Sequence, residues 1–348
     1  MKKDPVILLV GVGAVGATIA AWLAPKYKNF YVLDQGEALA ALRNKGVAAY
    51  LQHNENAKTT VPVNTIASFD ELEAPDYVLL CVKNYSLHGL ANAVKEKYGD
   101  APVVVGLQNG IENQSVLPQY FSKSAYGVIC YNAWLDQPAV AGYQKKGPIV
   151  FGTPNNALAK ELNQLSTIFN LGVESLVTDH LQDAVLSKMI INLTNSFTTL
   201  VGFTYKPISD ERLFQKILTN LTYEGVQIAK AAGYKECKLG GMPSWLLITI
   251  SVMAPQWLTK GLFKKNVKKM VVSSMAQDVI QNKRGENELE SINGYLLGLA
   301  DTYGVSAPYN RAIYEICNAQ FSSGHFEPMD VKAIWQEMKG REPNLAAA

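Results

Sequence analysis

Cysteine is scarce in this 348-residue chain. Cys81, Cys130, Cys237 and Cys317 stand far apart and in no C-x-x-C spacing, which removes sequence support for a disulfide framework or a zinc cluster. Histidine is equally thin. His53, His88, His180 and His325 pair with no carboxylate or cysteine at metal-ligand spacing, so no metal is expected. An excess of one charge is missing as well: 32 Lys and Arg against 30 Asp and Glu leave +2, without the basic surplus of a dedicated nucleic-acid binder. The opening MKKDPVILLV runs into a glycine motif with no small-residue cleavage site, so it does not read as a signal peptide, and a cytoplasmic protein is expected. A membrane span is also lacking. Residues 245–254 (WLLITISVMA) are uncharged, but Lys260 ends the apolar stretch well short of the roughly 20 residues a span requires. A buried helix or a subunit contact is the expected role of residues 245–258. The alternative is an interfacial anchor beside anionic lipid, helped by Lys264, Lys265, Lys268 and Lys269.

What is present is core-forming material: 48% of residues are hydrophobic and 18% charged. The length suits two domains. Residues 6–10, 30–33, 77–82 and 102–106 are short apolar runs of the kind buried on both faces of a sheet. Helical spacing over residues 14–23, from 37 to 42, and over 86–97 alternates with them. Consecutive βαβ units with right-handed crossovers give a doubly wound α/β sheet. Residues 126–131, 149–152 and 173–177 extend it. Beyond about residue 180 only helical spacing remains, over 183–200, 213–232, 271–281, 288–303 and 307–320. Asp183, Asp210 and Ser306 are the expected caps, and Gly233 and Gly304 the stops. The expected organisation is a Rossmann-type domain over residues 1–180 and an all-helical domain over 181–345. Residues 346–348 read as a cloning remnant.

Gly11-Val12-Gly13-Ala14-Val15-Gly16 is G-x-G-x-x-G between the first strand and the first helix. The first glycine permits the tight turn, the second lets backbone approach a pyrophosphate, and the third lets helix and strand pack closely. The helix N-terminus offers N–H groups and a positive dipole to phosphates. Asp34 ends the second strand, 18 residues after Gly16. A carboxylate there suits the ribose hydroxyls of NAD and repels the 2′-phosphate of NADP, and Gln35, Gly36 and Glu37 bring no compensating cation. NAD(H) is therefore expected over NADP(H).

Residues 186–200 (LSKMIINLTNSFTTL) place Lys188, Asn192 and Asn195 at i, i+4 and i+7, on one helix face. An ammonium and two amides are costly to bury without partners. On pattern alone two readings stand: a binding stripe, or a lysine snorkelling to solvent while the amides cap neighbouring turns. Other polar groups follow strand ends, namely Lys83 after Val82, and Gln108-Asn109-Gly110, where Asn-Gly is also an ordinary turn. Ser273-Ser274-Met275-x-Gln277-Asp278 and Glu288-x-x-x-Ile292-Asn293-Gly294 complete the set.

In this order the motifs resemble the ketopantoate reductase family, from about residue 6 to residue 320. The resemblance implies a Rossmann domain joined to a helical domain and reduction of a small-molecule 2-keto acid to a D-2-hydroxy acid with a nicotinamide cofactor. It implies that Lys188 is the catalytic general acid and that Glu288 helps hold the substrate's polar end. By the same resemblance Asn192 and Ser274 bind substrate, Asn109 lies between cofactor and substrate, and Lys83 lines the cofactor cleft. The chain departs from the pattern in three places. Asp34-Gln35 replaces the basic residue that many members carry for NADP. Ser196 occupies the place of the second helical amide, with Asn195 just before it, so which of the two contacts substrate is open. Residues 240–270 are longer and more apolar than the usual connection, which admits either a bulkier substrate or a second subunit, a homodimer contact. Opine-type or β-hydroxyacid dehydrogenases and a non-catalytic NAD(H)-binding sensor are the rival readings.

Overall fold

The computed structural model describes residues 2–238, 243–268, 270–283, 287–322 and 326–346. Of the residues singled out above, Lys269, His325 and the last two of the 346–348 tail lie outside these segments. The chain divides into two compact units, Met1–Leu181 and Gln182–Ala348.

The first unit carries twelve strands and five helices. In chain order these are β1 (Ile7–Val10), α1 (Ala14–Leu23), β2 (Phe30–Leu33), α2 (Gly36–Lys45), β3 (Val47–Leu51), β4 (Thr59–Val61), β5 (Asn64–Ile66), β6 (Tyr77–Leu80), α3 (Leu87–Tyr98), β7 (Val103–Gly106), α4 (Glu112–Val116), β8 (Ser124–Ile129), β9 (Ala133–Gln137), β10 (Val140–Tyr143), β11 (Ile149–Gly152), α5 (Ala159–Phe169) and β12 (Ser175–Val177). Eight strands form the main sheet in the order β12-β11-β8-β7-β6-β1-β2-β5. From β8 to β5 every pairing is parallel, with Val10 beside both Leu33 and Leu80. β1, β6 and β7 are buried along their whole length, as covered parallel strands must be. The chain leaves β1 in one direction along the sheet and resumes at β6 on its other side, so the topological switch point falls between these two strands.

Residues 149–152 and 175–177 do extend this sheet, but β11 runs antiparallel to β8, which makes the far edge mixed. A second, four-stranded sheet, β4-β3-β10-β9, has no counterpart in the sequence reading. Its outer strands are half-exposed or exposed, so they carry no continuous apolar run. It covers α1 through aromatic packing: the Trp22 ring meets Tyr143 of β10 edge-on at 5.0 Å, and Tyr131, between β8 and β9, adds a second edge-on contact at 5.2 Å.

The second unit is helical: α6 (Leu181–Asn192), α7 (Thr194–Leu200), α8 (Glu211–Ala231), α9 (Trp245–Met253), α10 (Gln256–Val267), α11 (Ser274–Ala276), α12 (Tyr295–Tyr303), α13 (Pro308–Phe321) and α14 (Val331–Arg341). Its core joins Phe197, Phe214, Ile217, Leu221, Ile313 and Ile334, all at most 1% exposed. Asp210 caps α8 as expected, accepting the N–H groups of Arg212 and Leu213 at 3.0 Å each.

Several helical expectations need correction. The single helix expected over 183–200 is two, α6 and α7. Thr194 Oγ1 donates to the Ile191 carbonyl (2.8 Å) and Ser196 Oγ to that of Leu193 (2.8 Å), the back-bonding that bends helices. Asp183 is not the cap. It sits inside the first turn of α6 and accepts the Lys235 N–H at 2.9 Å. Ser306 does not cap α13 either, because the cap position is Ala307. The capping oxygens come from α8, where Glu224 accepts the N–H groups of Tyr309 and Asn310 at 2.9 Å each. The helices expected over 271–281 and 288–303 are interrupted by π turns at Gln277–Gln281 and Glu290–Gly294. The 245–254 segment forms α9, yet only Trp245 and Ile248 are buried, against Ile190, Val226 and Ala229, because the helix packs by one face alone. Among the described residues no helix is long and apolar enough to cross a membrane.

Candidate active site

The glycine turn is built as its spacing predicts. Gly11 has φ +95°, a conformation that strains any residue with a Cβ. A Cβ on Gly16 would lie 1.9 Å from the Gly11 carbonyl oxygen, whereas one on Gly13 would meet no atom within 4 Å. Gly13 is thus the open face of the turn. It caps α1 without a side-chain hydrogen bond, and no acidic residue stands in the first turn. The first N–H groups of α1, with no capping side chain and no acidic residue in the first turn, form an anion-binding end.

Asp34 reaches across from the end of β2. Its Oδ2 accepts the Val12 N–H at 2.5 Å and its Oδ1 accepts the Gln35 N–H at 2.7 Å. The carboxylate is therefore held beside the turn. Of the six motif residues, buried Val12 has its amide committed to this brace. Beneath the turn, burial raises the Cys81 thiol far above its ordinary value.

Lys83 and Asn109 follow the carboxyl ends of β6 and β7, and both are half-buried. Their loops are tied together. Asn84 Nδ2 donates to the Asn109 carbonyl at 3.3 Å. Gln108 Nε2 donates to the carbonyls of Leu80 (2.8 Å) and Val82 (3.0 Å), and Asn113 Nδ2 donates to Gln108 Oε1 (3.2 Å). The bracing role of Gln108 was not assigned from the sequence, although it stands in the motif. A polar side chain beside Asn-Gly at a strand end was the available signal.

In the helical unit Lys188 and Asn192 lie on α6 and Asn195 on α7. Lys188 and Asn195 are half-buried and Asn192 is buried. Ser196 is fully buried. Besides its bond to Leu193 it accepts from Asn293 Nδ2 at 3.1 Å, which commits its hydroxyl to the helical core. Of the two residues left open above, only Asn195 retains exposure. Thr199 and Ser273 share a hydrogen bond of 3.3 Å that joins α7 to the start of α11. Next to it, Ser274 Oγ donates to Glu288 Oε2 at 3.2 Å. Glu288 is buried, and a carboxylate there requires such donors. Its near neighbour Glu290 is exposed and takes the Tyr314 hydroxyl instead. Ser274 and Glu288, fourteen residues apart, are thus brought together from segments that each adjoin a π turn, a distortion common at functional sites.

Comparison with known proteins follows the same division. The sequence pattern described as "Ketopantoate reductase PanE/ApbA" matches residues 7–156, and that of its C-terminal part matches residues 180–320. A 2-dehydropantoate 2-reductase of Pyrococcus horikoshii is 24% identical over 324 residues, covering 91% of this chain and 98% of the relative. Among solved structures, D-mandelate dehydrogenase with NADH and anilino(oxo)acetate superposes with a TM-score of 0.73 at 16% identity, over 91% of this chain and 99% of that one. A ketopantoate reductase from Ralstonia eutropha JMP134 gives 0.68 at 20% identity, over 96% and 99%. With both parts of the family pattern matched in order along the chain, the protein belongs to the ketopantoate reductase family of NAD(P)-dependent oxidoreductases.

Proposed function

We propose that this protein reduces the ketone of a 2-keto acid, 2-dehydropantoate or a bulkier relative, to the D-2-hydroxy acid, with NADH preferred over NADPH. The observation that carries the reading is the placement of Lys188 and Asn192 on α6 and of Asn195 at the start of α7, in the unit that also assembles the Ser274–Glu288 pair. The open Gly13, the uncapped α1 and the fixed Asp34 carboxylate fit a dinucleotide, with Lys83 and Asn109 as further contacts. When bound, the nicotinamide supplies the hydride.

Lys188 supplies the rest of the chemistry. Its ammonium hydrogen-bonds the ketone oxygen and delivers a proton to it as negative charge develops there, stabilising the transition state more than the ground state. Asn192 and Asn195 donate amide hydrogens to the substrate's carboxylate. Glu288, by accepting from Ser274 Oγ, fixes that hydroxyl so that its lone pairs face the substrate's polar end.

The test is a panel of 2-keto acids followed by NADH absorbance, with NADPH as comparator. Because a protein of the same fold was solved with anilino(oxo)acetate, aromatic oxo acids belong beside ketopantoate in the panel. Lys188→Ala is expected to lower kcat by roughly 10²–10⁴-fold with NADH affinity nearly unchanged. Comparable turnover in that variant would remove Lys188 as the acid. Tight NADH binding with no keto acid reduced would leave a sensor, and reduction only of imines formed from an amino acid and a keto acid would leave an opine-type enzyme.

A further inference from the structure

The α9–α10 pair carries none of the candidate site residues, and its surface is unusual. Its inner face is anchored on α8. Trp245 and Ile248 join the core there, Gln215 Nε2 donates to Thr259 Oγ1 (2.8 Å), Arg212 Nε donates to Gln256 Oε1 (3.0 Å), and the Phe263 ring meets Phe214 edge-on. The outer face holds Leu246, Ile250 and Met253 at i, i+4 and i+7 on α9, with Trp257, Leu258 and Leu262 on α10. Met253 is 73% exposed, Trp257 76% and Leu262 60%. Six large apolar side chains left exposed on two consecutive helices are not a normal surface of a monomeric protein.

Its electrostatics say what covers it. Residues 237–277 contain six lysines and no Asp, Glu or Arg, while the whole chain carries only +2, so the remainder of the protein is net acidic. Lys260, Lys264, Lys265 and Lys268 are exposed along α10, and only Lys264 has an acidic partner among the described ion pairs, Glu211 at 2.8 Å. Two copies of this face would bring like charges together around the apolar stripe, which argues against a second chain. An anionic lipid surface complements both features, taking the apolar side chains into the acyl boundary and the lysines to the headgroups. An open groove beside α10, lined by Trp257, Trp335, Lys216, Lys260 and Lys268 together with the acidic Asp210 and Glu211, is cationic on balance and adds positive charge for headgroup phosphates. The helices, nine and twelve residues long, are too short to cross the bilayer.

We propose that the α9–α10 pair is an interfacial anchor that seats the protein on anionic bilayers. Each exposed lysine adds roughly a factor of five in binding near such a surface. The test is flotation of the intact chain with vesicles of phosphatidylglycerol and phosphatidylcholine in equal parts, against vesicles of phosphatidylcholine alone. The expected result is binding to the first and little to the second, weakened by salt. Two doubly substituted chains, Leu258→Ser with Leu262→Ser and Lys265→Gln with Lys268→Gln, should each lose at least about tenfold in binding. These exposed positions lie outside the candidate active site, so NADH-dependent activity serves as a check of folding and is expected to stay unchanged. Equal binding to both vesicles, binding indifferent to the substitutions, or no binding would overturn the proposal. So would a dimer in sedimentation that Leu258→Ser with Leu262→Ser dissociates, since a second copy would then cover the face.

Discussion

Asp34 closes on Val12: the carboxylate at the end of β2 accepts the amide N–H of the glycine turn at 2.5 Å. One side chain thereby shapes the turn and presents negative charge beside it. A carboxylate so placed favours two ribose hydroxyls over a phosphate. Wild-type protein should show a higher kcat/KM with NADH than with NADPH. Asp34→Ala should lower kcat/KM for NADH by roughly 10–100-fold, the worth of hydrogen bonds to a charged group, and narrow or reverse the preference. An unmoved preference in the variant would mean that Asp34 does not read the ribose.

Gly16 and Gly13 should respond differently to the same methyl group. Gly16→Ala drives a Cβ into the Gly11 carbonyl, and the loss of close packing should lower the melting temperature markedly, by more than about 2 kcal/mol in stability. Gly13→Ala meets open space, so it should melt close to wild type. Its cost should fall on NADH affinity, by roughly tenfold, where the methyl stands between backbone and pyrophosphate. Calorimetric melts beside NADH fluorescence titrations separate the two effects.

The Ser274–Glu288 bond makes a double-mutant cycle informative. Ser274→Ala and Glu288→Gln should each raise KM for the keto acid by roughly tenfold with a smaller fall in kcat, and the double variant should cost less than the two effects combined. Full additivity in steady-state kinetics would mean that the two side chains act independently despite their 3.2 Å contact.

Glu224 links stability to pH. Burial pushes its carboxyl up to about 7, against the lowering influence of the Tyr309 and Asn310 donors. An acid whose folded value is raised binds its proton more tightly in the native state. Its contribution is fully present below the unfolded value of about 4.5 and is lost as pH rises through about 7. Urea unfolding should therefore show a downward trend in stability over this range that is absent in Glu224→Gln. That variant should itself be destabilised by about 1–3 kcal/mol, since an amide cannot accept from every donor at the start of α13. A variant with the wild-type slope would place the titration elsewhere.

The local sequence already carried the glycine turn, the parallel strands β1, β2, β6, β7 and β8, and the switch to helices near residue 180. Strands buried on both faces need continuous apolar runs, and Gly11 and Gly16 answer steric demands within a few residues. The i, i+4 pair Lys188 and Asn192 falls on α6 as its spacing reads, whereas Asn195, expected on the same helix, lies on α7 beyond the break. What the sequence alone left undecided depends on partners far along the chain. The second sheet pairs residues 47–51 with residues 140–143, and its half-exposed strands have no run to read. Ser196 became a core residue through Asn293, and Glu224 became the cap of α13 from another helix. The outer face of α9 and α10 is apolar in sequence, and only the packing on α8 decided which side chains stay uncovered. Periodicity records which residues of one element share a face, whereas burial and hydrogen-bond partners are set by what that face meets, and that is settled only when distant segments pack.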